Sequence, residues 1–320
     1  MKNPWHKIKT PKKDVSALRI DAEHPLDLYW AKDHLGRYLL VYEYPSASNV
    51  IIKNPPSLEG IETIANSSSE EISRLILILK EKDNWELFYS LCYDLLRATE
   101  ASKTPKTASG IILTRLRRWQ KFLKNKRPNI LPEEKIKGLI GELLFIRNQL
   151  IPKYGCTNAI KFWQGPEGSP QDFNINQIAV EVKCQMGGSI PSVKISSADQ
   201  LFTQLPDLFL YVVTMGKSDI DNSESINLNQ LVKQLEILLN NESSPSINRF
   251  EDLLIEAGYI YNQKYDDYNF LISASQVFQV FDNFPRIIPS DLKPGITKIN
   301  YSISLADCAP FEIELKNWEY

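Results

Sequence analysis

The chain has 320 residues, enough for two domains or one domain with a large extension, and with 43% hydrophobic and 24% charged residues it can bury a sizeable core. Apolar runs such as Leu75–Leu79 are far too short to cross a bilayer and no apolar segment follows Met1–Trp5, so no membrane span or secretory signal is expected and cytoplasmic residence is the default. The net charge of −2 does not suggest nucleic acid, but its distribution does: nine basic and no acidic residues lie between Glu100 and Glu133, which puts +9 on that segment and −11 on the rest.

In chain order, Arg37–Tyr44, Asn49–Lys53 and Ile72–Lys80 are rich in β-formers and read as strands, separated by loop signals at Pro55-Pro56 and Asn66–Ser69. Asp83 with Glu86 three residues later is a capping-box signal, and Trp85, Phe88, Cys92, Leu95 and Leu96 then recur at helical spacing. A polar break at Ala101–Ser109 leads to a helix over Ile111–Lys124. That helix carries Arg115, Arg117, Arg118 and Lys121 of the basic stripe, which is either a solvated face or a track for a phosphate backbone. A second helix spans Glu133–Leu150, with acidic residues in its first turn, where the helix dipole favours them, and Pro152 after its end.

The periodicity then changes. Lys161–Trp163, Asp172–Ile175 and Ile178–Lys183 read as strands, the last two joined by a tight turn at Asn176-Gln177. Ser196–Leu205 reads as a helix and Leu208–Thr214 as a buried strand. The order from Glu133 to Thr214 is therefore helix, three strands, helix, strand. Beyond a polar linker at Lys217–Ser225, an amphipathic helix over Leu228–Leu239 mixes with Tyr- and Ile-rich strands. The fold class is mixed α/β (α+β). The expected division is an N-terminal β-rich domain with a terminal helix over 1–105, a core with the basic helix over 106–216, and a C-terminal α/β extension over 217–320.

Cys92, Cys156, Cys184 and Cys308 are scattered without metal spacing and read as free thiols; His6, His24 and His34 read as ordinary polar residues. The chemistry concentrates elsewhere. On a strand over Ile178–Lys183, Val180 and Val182 face one way while Glu181 and Lys183 face the other. Asp172, nine positions earlier, can come level with Glu181 across a short hairpin. Two convergent carboxylates suit a hard cation such as Mg²⁺ or Mn²⁺, with the Val182 carbonyl completing the shell and Lys183 holding a water or stabilising the transition state. The same residues also make a plain amphipathic strand. Glu142 sits at the edge of the apolar arc of its helix, where Gly138 and Gly141 would allow close approach to a sheet. Gln185 continues the Glu181–Lys183 face. Ser196, Ser197 and Gln200 open the next helix, whose N-terminus favours anions; they serve either phosphate contact or capping. Tyr259, Tyr261, Tyr265 and Tyr268 serve either base stacking or packing.

Gly138–Leu143, Trp163–Pro166, Gln171–Phe173, Glu181–Lys183, Ser196–Leu201 and Phe284–Arg286 together resemble a PD-(D/E)XK-motif family of prokaryotic proteins described as a domain of unknown function. The resemblance implies a restriction-endonuclease-like fold and Mg²⁺-dependent DNA cleavage, with Mn²⁺ as a substitute, within restriction or phage-defence systems. It makes Asp172 and Glu181 metal ligands, Lys183 the catalytic lysine and Glu142 the helix glutamate that joins or supports the metal site. Gln171 stands where the motif has proline. Expected partners are DNA, other defence-system subunits and a second copy in a homodimer. The alternatives are a non-cleaving DNA- or partner-binding module on the same fold and an RNA or repair nuclease.

Overall fold

The computed structural model describes residues 2–48, 50, 52, 54–67, 71–124, 130–188, 190–219, 222–242 and 244–318. The chain forms two compact units, one of residues 1–129 with 260–262, the other of residues 130–259 with 263–320.

The first unit is a five-stranded antiparallel sheet in the order β1-β2-β3-β5-β4, from β1 (Val15–Arg19), β2 (Asp27–Asp33), β3 (Tyr38–Pro45), β4 (Ile61–Ser67) and β5 (Ile72–Leu79). It is followed by α1 (Trp85–Thr99) and α2 (Pro105–Lys124). β3 is central and buried nearly throughout, as its run of Tyr, Leu and Val requires. Trp5 stacks on Tyr38 and Phe88 and donates from Nε1 to the Leu39 carbonyl (2.9 Å). The expected strand at Asn49–Lys53 lies largely outside the described residues. The capping box at Asp83/Glu86 does not form: Asp83 lies in a short 3-10 turn, and α1 begins without a side-chain cap bond.

Helix α2 belongs to this unit, which departs from the three-part division expected from the sequence. Trp119 Nε1 donates to Asp94 of α1 (3.0 Å), and Arg115 pairs with the same carboxylate (3.4 Å). The polar break before α2 is thus the turn of a helix hairpin rather than a domain boundary.

The second unit is built on a sheet in the order β12-β10-β9-β7-β6. Its elements in chain order are α3 (Glu133–Phe145), α4 (Ile151–Phe162), β6 (Phe173–Ile175), β7 (Ile178–Met186), β8 (Ser192–Ile195) and β9 (Asp207–Lys217). There follow α5 (Leu228–Glu242), α6 (Ser244–Glu256), β10 (Phe270–Gln279), β11 (Tyr301–Ser304), α7 (Leu305–Cys308) and β12 (Glu312–Ile313). β7 and β9 are parallel; the other pairs are antiparallel. Val180 and Val182 pack with Ile136, Ile140 and Leu143 of α3 in one core. Ala179, Leu208, Leu210 and Val212 pack with the β8–β11 ribbon in a second. The sheet is buried on both faces, as a central parallel pair demands.

Two elements differ from the sequence reading. Lys161–Trp163 is not a strand: α3 runs through a π-helical turn (Ile146–Leu150) into α4, which carries Pro152 in its first turn and is kinked at Gly155 (φ 71°, ψ 167°). Cys156, Ala159 and Ile160 are buried at helical spacing and hold the segment as helix to Phe162, leaving Trp163 as a single bridge to Phe173. Ser196–Leu205 is not a helix either, but a four-residue 3-10 turn at Ala198–Leu201. Pro206 has no N–H to continue a helix, and the turn's carbonyls are taken by side chains instead. Gln171 reaches those of Asp199 and Phe202, and Arg286 that of Leu201.

Candidate active site

The hairpin forms as its sequence requires. Asn176 takes a left-handed φ of 57° in the turn, and Phe173 pairs with Val180. Continuing that register places Asp172 across from Glu181. The Asp172 carboxylate is fixed there, since Oδ2 accepts from the Val182 N–H (2.8 Å). Its backbone carbonyl accepts from the N–H groups of Gln164 and Gly165 (2.9 Å each). Gly165 is required: a Cβ would stand 2.8 Å from Asp172 Oδ1 and 3.1 Å from its Cα.

Glu142 arrives from α3. Its Oε2 accepts from Nε1 of the buried Trp163 (2.7 Å). The helix can lie this close because of Gly141, where an added Cβ would overlap Cys184 Sγ and stand 3.3 Å from Val182 Cγ1. Gly138, one turn earlier, has open space at its Cα and does not serve this purpose.

Glu181 is 1% exposed, with its carboxylate buried beside Lys183. Oε1 is ion-paired at 2.6 Å with Lys183 Nζ, which also donates to Gln200 Oε1 (3.1 Å). Glu142, Asp172, Glu181 and Lys183 all line one cleft of about 600 Å³.

The electrostatics reflect this crowding. Burial, then the Asp172 charge, pushes Glu181 up to about 8. Burial and Asp172 likewise hold Glu142 well above the usual carboxylate range, against the pull of the Trp163 hydrogen bond. Asp172 is raised by burial, an effect that Lys183 and the Val182 N–H partly offset. Burial works to lower Lys183, but Glu181 and Asp172 outweigh it and hold the ammonium above its ordinary value. Three crowded carboxyls facing one ammonium resist ionising together, and a cation among them would favour their charged forms.

The model of the family described as "Putative PD-(D/E)XK family member, (DUF4420)" matches residues 1–306. The chain belongs to this PD-(D/E)XK family. No curated protein and no solved structure matches it. PD-(D/E)XK nucleases generally use divalent metals. The residues here fit such an ion: the donors are hard oxygens, and three buried carboxyls, Glu142, Asp172 and Glu181, line one cleft. Among the described residues, no group of three or more His, Cys, Asp or Glu side chains is placed to hold a metal ion. Mg²⁺ held by one or two carboxylates and waters does not need such a group.

The remaining residues singled out in the sequence divide. Val182 and Ser196 line the cleft; Gln200 lines it too, with Oε1 shared between Lys183 Nζ and the Ser196 N–H (2.7 Å). Ser197 opens the short 3-10 turn and is not part of the cleft wall; a turn of this length lacks the dipole of the helix expected there. Gln185 is buried against β9, donating to Thr214 Oγ1 (2.8 Å), and does not reach the cleft. In α2, Arg117 and Lys121 are exposed, whereas Arg118 is 6% exposed and Arg115 is paired with Asp94, so the stripe is only half a solvent-facing track. Tyr259 and Tyr265 are interior, bonded to Asn229 and to the Leu131 N–H. Tyr261 stacks on Tyr93. No helix among the described residues is long and apolar enough to cross a membrane.

Sequence reasoning missed four residues as contributors to the site. Trp163 and Gln171 stood only as parts of the family resemblance, and their partners are distant in sequence. Lys135 and Lys194, exposed on the cleft wall, carry no motif at all.

Proposed function

We propose that the protein is a metal-dependent deoxyribonuclease that hydrolyses phosphodiester bonds in this cleft. The observation that carries the reading is the convergence of Glu142, Asp172, Glu181 and Lys183 on one cleft, with the Glu181 carboxylate buried and paired with the Lys183 ammonium. Asp172, Glu181 and the Val182 carbonyl would hold Mg²⁺, or Mn²⁺ in its place, with Glu142 supporting the site. The ion supplies Lewis acidity to a bound water and to the phosphate. Lys183 places its ammonium beside the Glu181 carboxylate, positioned to orient the attacking water and to stabilise charge on the phosphate oxygens. Trp163 and the Val182 N–H fix Glu142 and Asp172, so that the carboxylates are already arranged before substrate arrives.

Lys135 on α3 and Lys194 on β8 supply cations at the cleft wall for the phosphates that flank the scissile one. Arg117 and Lys121 of α2 add backbone affinity from the first unit. The family resemblance supports a setting in prokaryotic restriction or phage defence. There the first unit and the C-terminal elements serve target recognition, and a second copy or partner subunit makes the second-strand cut.

The test is cleavage of duplex, single-stranded, branched and methylated DNA and of RNA, with Mg²⁺, with Mn²⁺ and with chelator. The expected result is metal-dependent DNA cleavage that Lys183→Ala and Asp172→Asn abolish while the proteins stay folded. Tight DNA binding without cleavage under any metal would replace this reading with the non-cleaving module, and cleavage confined to RNA would change the substrate class.

A further inference from the structure

The residue before Asp172 is Gln171, where the PD-(D/E)XK motif has proline. Its side chain is 4% exposed, and its amide nitrogen is bonded. Nε2 donates to the carbonyls of Asp199 (2.7 Å) and Phe202 (2.9 Å), with that of Gln200 at 3.4 Å. Arg286 takes the carbonyl between them, Leu201 (2.8 Å). Two side chains, from positions 171 and 286, thus hold four consecutive carbonyls, three in the turn at Ala198–Leu201 and that of Phe202 just after it. That turn projects Gln200, whose Oε1 receives both the Lys183 ammonium and the Ser196 N–H.

The contacts form one chain from the start of the hairpin back to its far strand. Asp172 and Lys183 lie on opposite sides of the β6–β7 hairpin, and the link through Gln171, the turn and Gln200 closes the loop between them. A proline at position 171 could not make it, because it has no amide to donate. Lys183 is flanked by Glu181 on one side and Gln200 on the other, so its ammonium has two fixed partners and a defined direction. Without Gln200 a flexible four-carbon stem would be restrained at one point only.

We propose that Gln171 is a positioning residue that locks the Ala198–Leu201 turn and thereby the Gln200 side chain that aims the Lys183 ammonium into the cleft. The use made of that ammonium rests on the nuclease reading above; the clamp does not.

Reductive methylation of the full-length protein, followed by peptide mass spectrometry, reads the restraint on Lys183 directly, with the exposed Lys217 as internal reference. In Gln200→Ala, Lys183 is expected to react roughly tenfold faster than in the wild type, the equilibrium worth of one charge-assisted hydrogen bond. Gln171→Glu is isosteric but sets acceptor oxygens against three carbonyls, and the same increase is expected there. Combined with Gln200→Ala it should add nothing, since both act through one contact. A merely structural role for Gln171 would instead add to the Gln200 effect or leave Lys183 reactivity unchanged in a folded Gln171→Glu protein; either result overturns the proposal. Should Gln171→Glu fail to fold, unchanged Lys183 reactivity in Gln200→Ala overturns it. For cleavage, both variants should lower kcat with KM for DNA unchanged. Wild-type protein that cleaves nothing sinks the nuclease reading, while the methylation comparison still decides the clamp.

Discussion

Gly138 and Gly141 lie one turn apart on α3, and the structure assigns them opposite responses to the same substitution. Alanine in place of glycine inside a helix gains on the order of 0.5–1 kcal/mol from the chain entropy of the unfolded state. At Gly138 nothing lies within 4 Å of the added Cβ, so Gly138→Ala should realise that gain. At Gly141 the new methyl overlaps Cys184 Sγ and meets Val182 Cγ1 at 3.3 Å. Cys184 can turn away only by giving up its thiol bond to the Lys137 carbonyl (3.1 Å). Otherwise α3 must lift from β7, and Glu142, the next residue, lifts with it. Overpacking of this kind costs ~1–3 kcal/mol, so Gly141→Ala should be destabilised by ~1–2 kcal/mol after the helical gain. Urea unfolding monitored by circular dichroism measures both variants. Removing the obstructing sulfur in Gly141→Ala/Cys184→Ala should recover part of the loss as a coupling of ~1 kcal/mol or more. A Gly141→Ala protein as stable as Gly138→Ala would refute the close approach of helix and sheet on which the position of Glu142 depends.

Lys135→Ala and Lys194→Ala should each weaken DNA binding with little dependence on sequence. Each should reduce the slope of log affinity against log salt by about 0.9, the signature of one lost phosphate contact on duplex. Anisotropy titrations across a salt series check this, and an unchanged slope would remove that lysine from the interface. Glu181→Gln should raise stability in chelator. A carboxyl whose folded value is raised from 4.5 to about 8 imposes no penalty below the unfolded value, and its contribution is lost as pH rises through about 8. The wild type should therefore lose stability between pH ~4.5 and ~8, with Glu181 contributing on the order of 4 kcal/mol at most, while Glu181→Gln should lose less there, its remaining slope coming from the raised Glu142 and Asp172. Thermal melts across that range decide it. Melts with added Mg²⁺ should stabilise the wild type and leave Glu181→Gln nearly unmoved.

The parts of the fold visible in the sequence are those set by local pattern. The alternation of Ile178–Lys183 fixed which residues of β7 face the α3 core, and Asn176 marked the turn that brings Asp172 opposite Glu181. The apolar arc of α3 likewise placed Glu142 at its rim. What the sequence hid depends on partners far along the chain. The segment 196–205 has a helical composition, yet its carbonyls are claimed by Gln171 and Arg286, from 28 and 85 positions away. Trp163 looked like part of a strand because its local residues are β-formers, but Cys156, Ala159 and Ile160 set the period from the preceding turns. The basic stripe misled for the same reason. Charge is readable along a chain, but whether Arg115 and Arg118 face solvent depends on Asp94 and on how α1 packs.

The gathering of buried carboxyls at the cleft argues for function more strongly than the motif does. Asp172 has Val182, Gln164 and Gly165 as donors; Glu142 has Trp163; Lys183 has Glu181 and Gln200; the turn that carries Gln200 is held at three carbonyls and at that of Phe202 after it. A scaffold selected only for stability would space these carboxyls apart or replace one with an apolar residue, since buried carboxylates crowded together are costly. Instead the surrounding bonds hold three buried carboxyls together at a cleft of about 600 Å³, with the Lys183 ammonium paired to Glu181. The cost falls on Glu142, Asp172 and Glu181 together, at the point where a cation would relieve it.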